Sequence, residues 1–72
     1  MEETKFSYNK LWKLLIDKRM TKKTLMERTG VSKATCAKMN KGESVTLDIL
    51  ARLCKELNVD IGDVVELEKE FF

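Results

Sequence analysis

Apolar side chains recur at helical spacing along nearly the whole chain. Tyr8, Leu11, Trp12, Leu15 and Ile16 follow the i, i+3, i+4, i+7, i+8 rhythm of one buried helix face, with Leu14 widening it and Ser7 ahead of it as an N-cap. This predicts a first helix over residues 8–18, with Trp12 as its core anchor. Thr21 caps a second helix over 22–29, which turns Leu25 and Met26 inward and ends at Gly30. Ser32 caps a third helix over 33–40, whose inner face is Cys36 and Met39 and whose Ala34 and Ala37 keep it slim. Gly42 closes it. Residues 42–46 form a loop with Val45 against the core. Thr46 caps a fourth helix with Asp48 in its first turn, where a negative charge suits the helix dipole. Its stripe is Leu47, Leu50, Ala51, Cys54 and Leu57, extended by Ile49 and Leu53, and Asn58 ends it. Asp60 and Asp63 resemble a capping box for a short fifth helix edged by Ile61, Val64 and Val65. The expected fold class is all-α, five short helices in one compact domain.

Composition agrees with this pattern. Proline is absent and glycine occurs only at 30, 42 and 62. The 72 residues make one domain and bury a limited core, so modest stability is expected unless the chain dimerises. No apolar run approaches the roughly 18 residues of a membrane span. The start, MEETKFSYNK, lacks the apolar core of a signal peptide. Histidine is absent, which removes His-based catalysis and His-ligated metals. Cys36 and Cys54 form no CxxC pair, so no zinc site is expected; a disulfide is open by count, and two free thiols packed as small apolar side chains are the preferred reading. These features place the chain in a reducing cytoplasm, with no cofactor and no membrane partner. A glycine loop that cradles phosphate and a nucleophile with a neighbouring base are both lacking, so no enzyme is expected.

Charge changes the picture. The net charge is only +2, but residues 1–42 carry eleven Lys/Arg against four Asp/Glu, a net of +7, and residues 43–72 carry three against eight, a net of −5. From Lys18 to Lys41 there are eight basic residues and one acid, Glu27. Segregation of this kind suits a polyanion partner. The segment Thr21 to Gly42, TKKTLMERTGVSKATCAKMNKG, sets two short helices around a tight Thr29-Gly30-Val31-Ser32 turn, which is a helix-turn-helix pattern. Leu25, Met26, Val31, Cys36 and Met39 lock it inside. Lys22, Lys23, Ser32, Lys33, Ala34, Thr35, Ala37, Lys38 and Lys41 remain outside.

Over roughly residues 7–66 the chain resembles the lambda-repressor-like helix-turn-helix family, the phage repressor and Cro (XRE) type. The resemblance rests on the Gly30-Val31-Ser32 turn, Thr21-Lys22, Asn40-Lys41-Gly42, the helix from Thr46 to Leu57 and Val59-Asp60-Ile61. It implies a transcriptional regulator that binds double-stranded DNA with the third helix in the major groove and the second across the backbone. Lys33, Ala34 and Lys38 would then face base edges, with Ser32, Thr35 and Ala37 close by. Lys22 would sit on a phosphate, and the loop after Gly42 would bring Ser44 to another. This chain departs from the family in having no Gln, with Lys22 where Gln is common, and in Met26 where a small residue is usual. Residues 1–6 read as an N-terminal extension and 67–72 as a tail. Around its start Val65, Leu67 and Phe71 alternate with charges as an edge strand would; Phe71 and Phe72 either pack back on the core or form a homodimer contact. The rival reading is a protein-binding module, such as an antitoxin or an accessory partner of a larger regulator, using the acidic half from Glu43 to Glu70.

Overall fold

The computed structural model describes residues 5–68. Its elements run β1 (Phe6–Ser7), α1 (Asn9–Asp17), α2 (Lys22–Thr29), α3 (Lys33–Asn40), α4 (Leu47–Leu57), a 3-10 turn (Ile61–Asp63) and β2 (Glu66–Leu67). Helix starts follow the predicted caps. The hydroxyls of Thr21, Ser32 and Thr46 accept from the backbone N–H of Thr24, Thr35 and Ile49 at 3.1, 3.2 and 3.2 Å. Each satisfies a donor that the first helical turn leaves unpaired.

The first helix departs from expectation. Its N-cap is Tyr8, which makes no side-chain cap bond, and Ser7 Oγ accepts from Asn9 N only at a long 3.4 Å. Tyr8 is buried and its hydroxyl donates to the carbonyl of Glu43 at 2.8 Å. Tertiary packing has taken the residue that periodicity gave to the first turn. At the other end the chain leaves the helix through Arg19 at φ 56°, with Met20 N bonding back to Leu15 O at 2.9 Å. A side chain in this left-handed conformation is uncommon, and the local sequence gives no glycine to announce it.

The described chain holds four α-helices, and the all-α five-helix expectation is corrected in two places. The capping box does form, the Asp60 side chain accepting from the backbone N–H of Asp63 and Asp63 Oδ2 accepting from Asp60 N at 3.1 Å. It starts only a single 3-10 turn. Gly62 costs the helix backbone entropy, and β-branched Val64 and Val65 follow where the chain turns extended. β2 then pairs antiparallel with β1, Phe6 opposite Leu67 and Ser7 opposite Glu66, and Glu68 N bonds Lys5 O at 2.9 Å. Of the residues expected to alternate as a strand, Leu67 falls in this ribbon but is 56% exposed, and Val65 precedes the strand. Phe71 and Phe72 lie outside the described residues.

The five most deeply enclosed side chains are Leu11, Leu25, Met39, Leu53 and Val64, each at 2% exposure or less. They come one apiece from α1, α2, α3, α4 and the segment after the 3-10 turn. Tyr8, Leu15, Met26, Val31, Leu50, Cys54 and Leu57 complete the core, and α4 packs against α2. Four positions expected on apolar faces are not in the core, Ile61 at the 3-10 turn being one, at 37% exposure. Ile16 and Leu47 are 74% and 70% exposed, and Ala51 is exposed. The buried stripe of α4 is Leu50, Leu53, Cys54 and Leu57. Trp12 is half-buried at the core's rim. Cys36 and Cys54 are free thiols.

Two turns fix the ends of α2 and α3. Gly30 has φ 74° and open space around its Cβ direction, whereas Gly42 has φ 76° and a Cβ there would lie 3.0 Å from the Phe6 carbonyl oxygen. Phe6 N also bonds Gly42 O at 2.9 Å, so the strand cannot withdraw freely. Gly30→Ala is expected to cost about 1 kcal/mol from the left-handed backbone alone, and Gly42→Ala measurably more. Urea unfolding of the two variants checks the order; equal losses would contradict the close approach at Gly42.

Candidate nucleic-acid interface

α2 and α3 bury little of themselves. α2 encloses Leu25 and Met26, and α3 encloses Met39 alone. What the two helices leave outside is what their sequences make basic. Lys22, Lys23, Lys33, Lys38 and Lys41 are all exposed, and none of them meets a carboxylate among the described residues. The ion pairs found there are Lys10–Glu66 at 3.8 Å, Arg28–Glu56 at 3.4 Å and Arg52–Asp48 at 3.3 Å. These pairs are partly exposed, so they stabilise little. They do occupy Glu56 and Glu66, two acids of the surface that a protein-binding reading would use.

A groove of about 640 Å³ runs between α2 and α3. Lys22, Lys23 and Lys33 stand on its walls with Glu27, over a floor that includes Met26, Val31 and Cys36. The structure brings Lys22, Lys23, Lys33 and Ala37 together on this groove. Ala34, Lys38 and Lys41 are exposed but do not line it. Ala34 and Ala37 add little bulk, so the α3 backbone can be approached closely on that side. Ser32 and Thr35 are engaged: Ser32 Oγ caps Thr35 N, and the two hydroxyl oxygens lie 3.1 Å apart in a shared hydrogen bond. They hold the start of α3 and have less capacity left for an outside ligand. Ser44 is exposed in the loop after α3.

That loop is pinned from the N-terminal side, by Phe6 N on Gly42 O and by the Tyr8 hydroxyl on Glu43 O at 2.8 Å. Val45 packs against the core beyond it. Burial raises the Tyr8 phenol above its ordinary pKa, against a smaller opposing pull from the backbone of Val45. Burial also raises the Cys54 thiol, helped by the negative charges of Asp60 and Asp63.

Two participants were not foreseen. The Lys22 ammonium lies 4.0 Å from the centroid of the Trp12 ring and donates to Asn40 Oδ1 at 2.9 Å. Helical periodicity assigns Trp12 to the interior and Asn40 to a helix end. No spacing rule links positions 12, 22 and 40, because the three lie on three different helices. Among the described residues, no helix is long and apolar enough to cross a membrane, and no group of three side chains could hold a metal ion.

A family model described as the Cro/C1-type HTH DNA-binding domain matches residues 10–70. Among solved structures, the crystal structure of the transcriptional regulator VanUg is similar at 50% sequence identity and a TM-score of 0.89, over 97% of this chain and 93% of that one. No curated protein matches.

Raised folded-state values for Tyr8 and Cys54 mean that both groups stabilise the fold while neutral. That contribution is whole below their ordinary pKa range and is lost as pH climbs through the raised values. Stability measured by urea midpoint should therefore decline from about pH 8.5 upward. Tyr8→Phe should flatten the upper part of the decline, at a cost of about 1 kcal/mol near neutrality for the lost hydrogen bond to Glu43. An unchanged alkaline profile in Tyr8→Phe would contradict this account.

Proposed function

The chain belongs to the Cro/C1-type helix-turn-helix DNA-binding family, and from that premise we propose that it is a sequence-specific, double-stranded DNA-binding transcriptional regulator. The solved structure most of whose length it shares is that of a transcriptional regulator, which supports the same role here. The observation that carries the reading is the row of exposed lysines on α2 and α3, none of them engaged by a carboxylate among the described residues.

In this reading α3 enters the major groove and α2 lies across the phosphate backbone. Lys33 and Lys38 reach base edges, where an ammonium donates to guanine O6 and N7. Ala34 and Ala37 allow close approach and suit a thymine methyl. Lys22, Lys23 and Lys41 meet phosphates, and Ser44 meets another from the pinned loop. Ser32 and Thr35 orient the start of α3. Lysine is a flexible point charge and reads bases less sharply than arginine or a bidentate amide, so phosphate contacts supply most of the affinity. Two copies docked side by side would read half-sites about 34 Å apart.

With about three phosphates neutralised per chain, by Lys22, Lys23 and Lys41, the slope of log affinity against log salt should be roughly −2.7, and twice that for a dimer. Selection of bound sequences from random duplex DNA tests the whole reading and shows any two-fold symmetry. Lys33→Ala and Lys38→Ala should relax base preference at a cost of about 1–3 kcal/mol each. Lys23→Ala should weaken all sequences alike. Binding that ignores salt, or a selection that enriches nothing, would end the proposal.

A further inference from the structure

Three helices converge on one ammonium group. Trp12 of α1 lies under it with the ring centroid 4.0 Å from Lys22 Nζ, and Asn40 at the end of α3 accepts its N–H at 2.9 Å. Lys22 itself opens α2. Both holders are electrically neutral. An indole face attracts a cation through its quadrupole and an amide oxygen accepts one N–H, but neither cancels the charge. The ion-paired surface cations among the described residues differ in this respect: Lys10, Arg28 and Arg52 each rest on a carboxylate. Lys22 is exposed. Of its three N–H donors Asn40 engages one, so the charge and at least one donor stay open to an outside anion.

We propose that Trp12 and Asn40 are positioning residues for DNA binding: they hold the Lys22 ammonium, still fully charged, at one point on the outer face, where it meets a backbone phosphate. A lysine stem has large rotamer freedom, and a free one loses it at the moment of binding. Here two contacts restrict the stem beforehand. Lysine has no acceptor, so the Asn40 carbonyl faces Lys22 and its NH2 group faces away. The inference rests on the DNA-binding reading above and adds to it the two residues that act through Lys22.

Fluorescence anisotropy with a short labelled duplex of mixed sequence, in dilute salt, tests it. Trp12→Leu and Asn40→Ala should each weaken binding about two- to fivefold, the range for an exposed cation–π contact. Trp12→Phe, which keeps a ring, should restore most of the loss. Asn40→Asp keeps the acceptor but neutralises the ammonium, so it should weaken binding more than Asn40→Ala. In a Lys22→Met background, Trp12→Leu and Asn40→Ala should cost nothing further, whereas a merely structural role would cost the same in both backgrounds. Asn40 is exposed, so its variants carry the test even where Trp12→Leu fails to fold. Unchanged or tighter binding by Asn40→Ala, or an equal loss in the Lys22→Met background, overturns the inference and leaves DNA binding standing. A parent chain that binds no duplex overturns the DNA-binding reading, and this inference with it.

Discussion

Everything outside depends on five side chains meeting in one dry centre. Leu11, Leu25, Met39, Leu53 and Val64 come from five successive segments of the chain, and each is at most 2% exposed. The helices they belong to are 8 to 11 residues long, too short to persist alone in water. Each therefore exists because its inward residue is buried among the other four. α3 is the extreme case. It encloses Met39 alone and half-buries Cys36, so its placement rests on that one knob, on its Ser32 cap and on the Gly42 turn tied to β1. The same economy frees the rest of its surface to be small and basic.

The parts of this arrangement written in local chemistry were legible in the sequence. Thr21, Ser32, Thr46 and Asp60 cap the elements they were read to cap, because a cap bond spans three residues or fewer and needs nothing from afar. Gly30 and Gly42 adopt the left-handed turns that only glycine enters freely. What depends on the assembled core was less legible. α4 carries apolar residues at seven of its eleven positions, 47, 49, 50, 51, 53, 54 and 57. A rhythm that dense does not say where its centre lies, and the centre proves to be Leu53, with Leu47 left in solvent. The fifth helix failed for the converse reason. Its start signal is local and real, but Gly62, Val64 and Val65 oppose continuation, and a strand partner at Phe6–Ser7 was waiting some 60 residues earlier in the chain.

The candidate interface divides the same way. That α2 and α3 would show their lysines outward follows from which positions are apolar, and all five lysines are exposed. That Lys22 would rest against Trp12 and Asn40 follows only from the way α1, α2 and α3 dock. Trp12 is half-buried at the rim, which leaves one part of its ring to the core and another within reach of the ammonium. An interior tryptophan would have been a better core residue and no holder at all. The loop after α3 shows a related dependence: its position is set by Tyr8, whose hydroxyl reaches across to Glu43, and by Phe6, whose N–H reaches Gly42.

The placement of the carboxylates explains how a chain of net charge +2 presents a face of much higher charge. Asp48, Glu56 and Glu66 pair with cations that stand off the α2–α3 groove, so those pairs leave the groove lysines unscreened. Glu27 is the one acid on the groove itself. At physiological ionic strength charges separated by more than about 8 Å scarcely feel each other through solvent. A phosphate near Lys22 and Lys33 would therefore sense the local lysines far more than the acidic second half of the chain. Segregation in sequence becomes segregation in space, because the basic helices are consecutive and the acidic segments that follow cover other sides of the core. The net charge, read alone, hides the property on which polyanion binding depends.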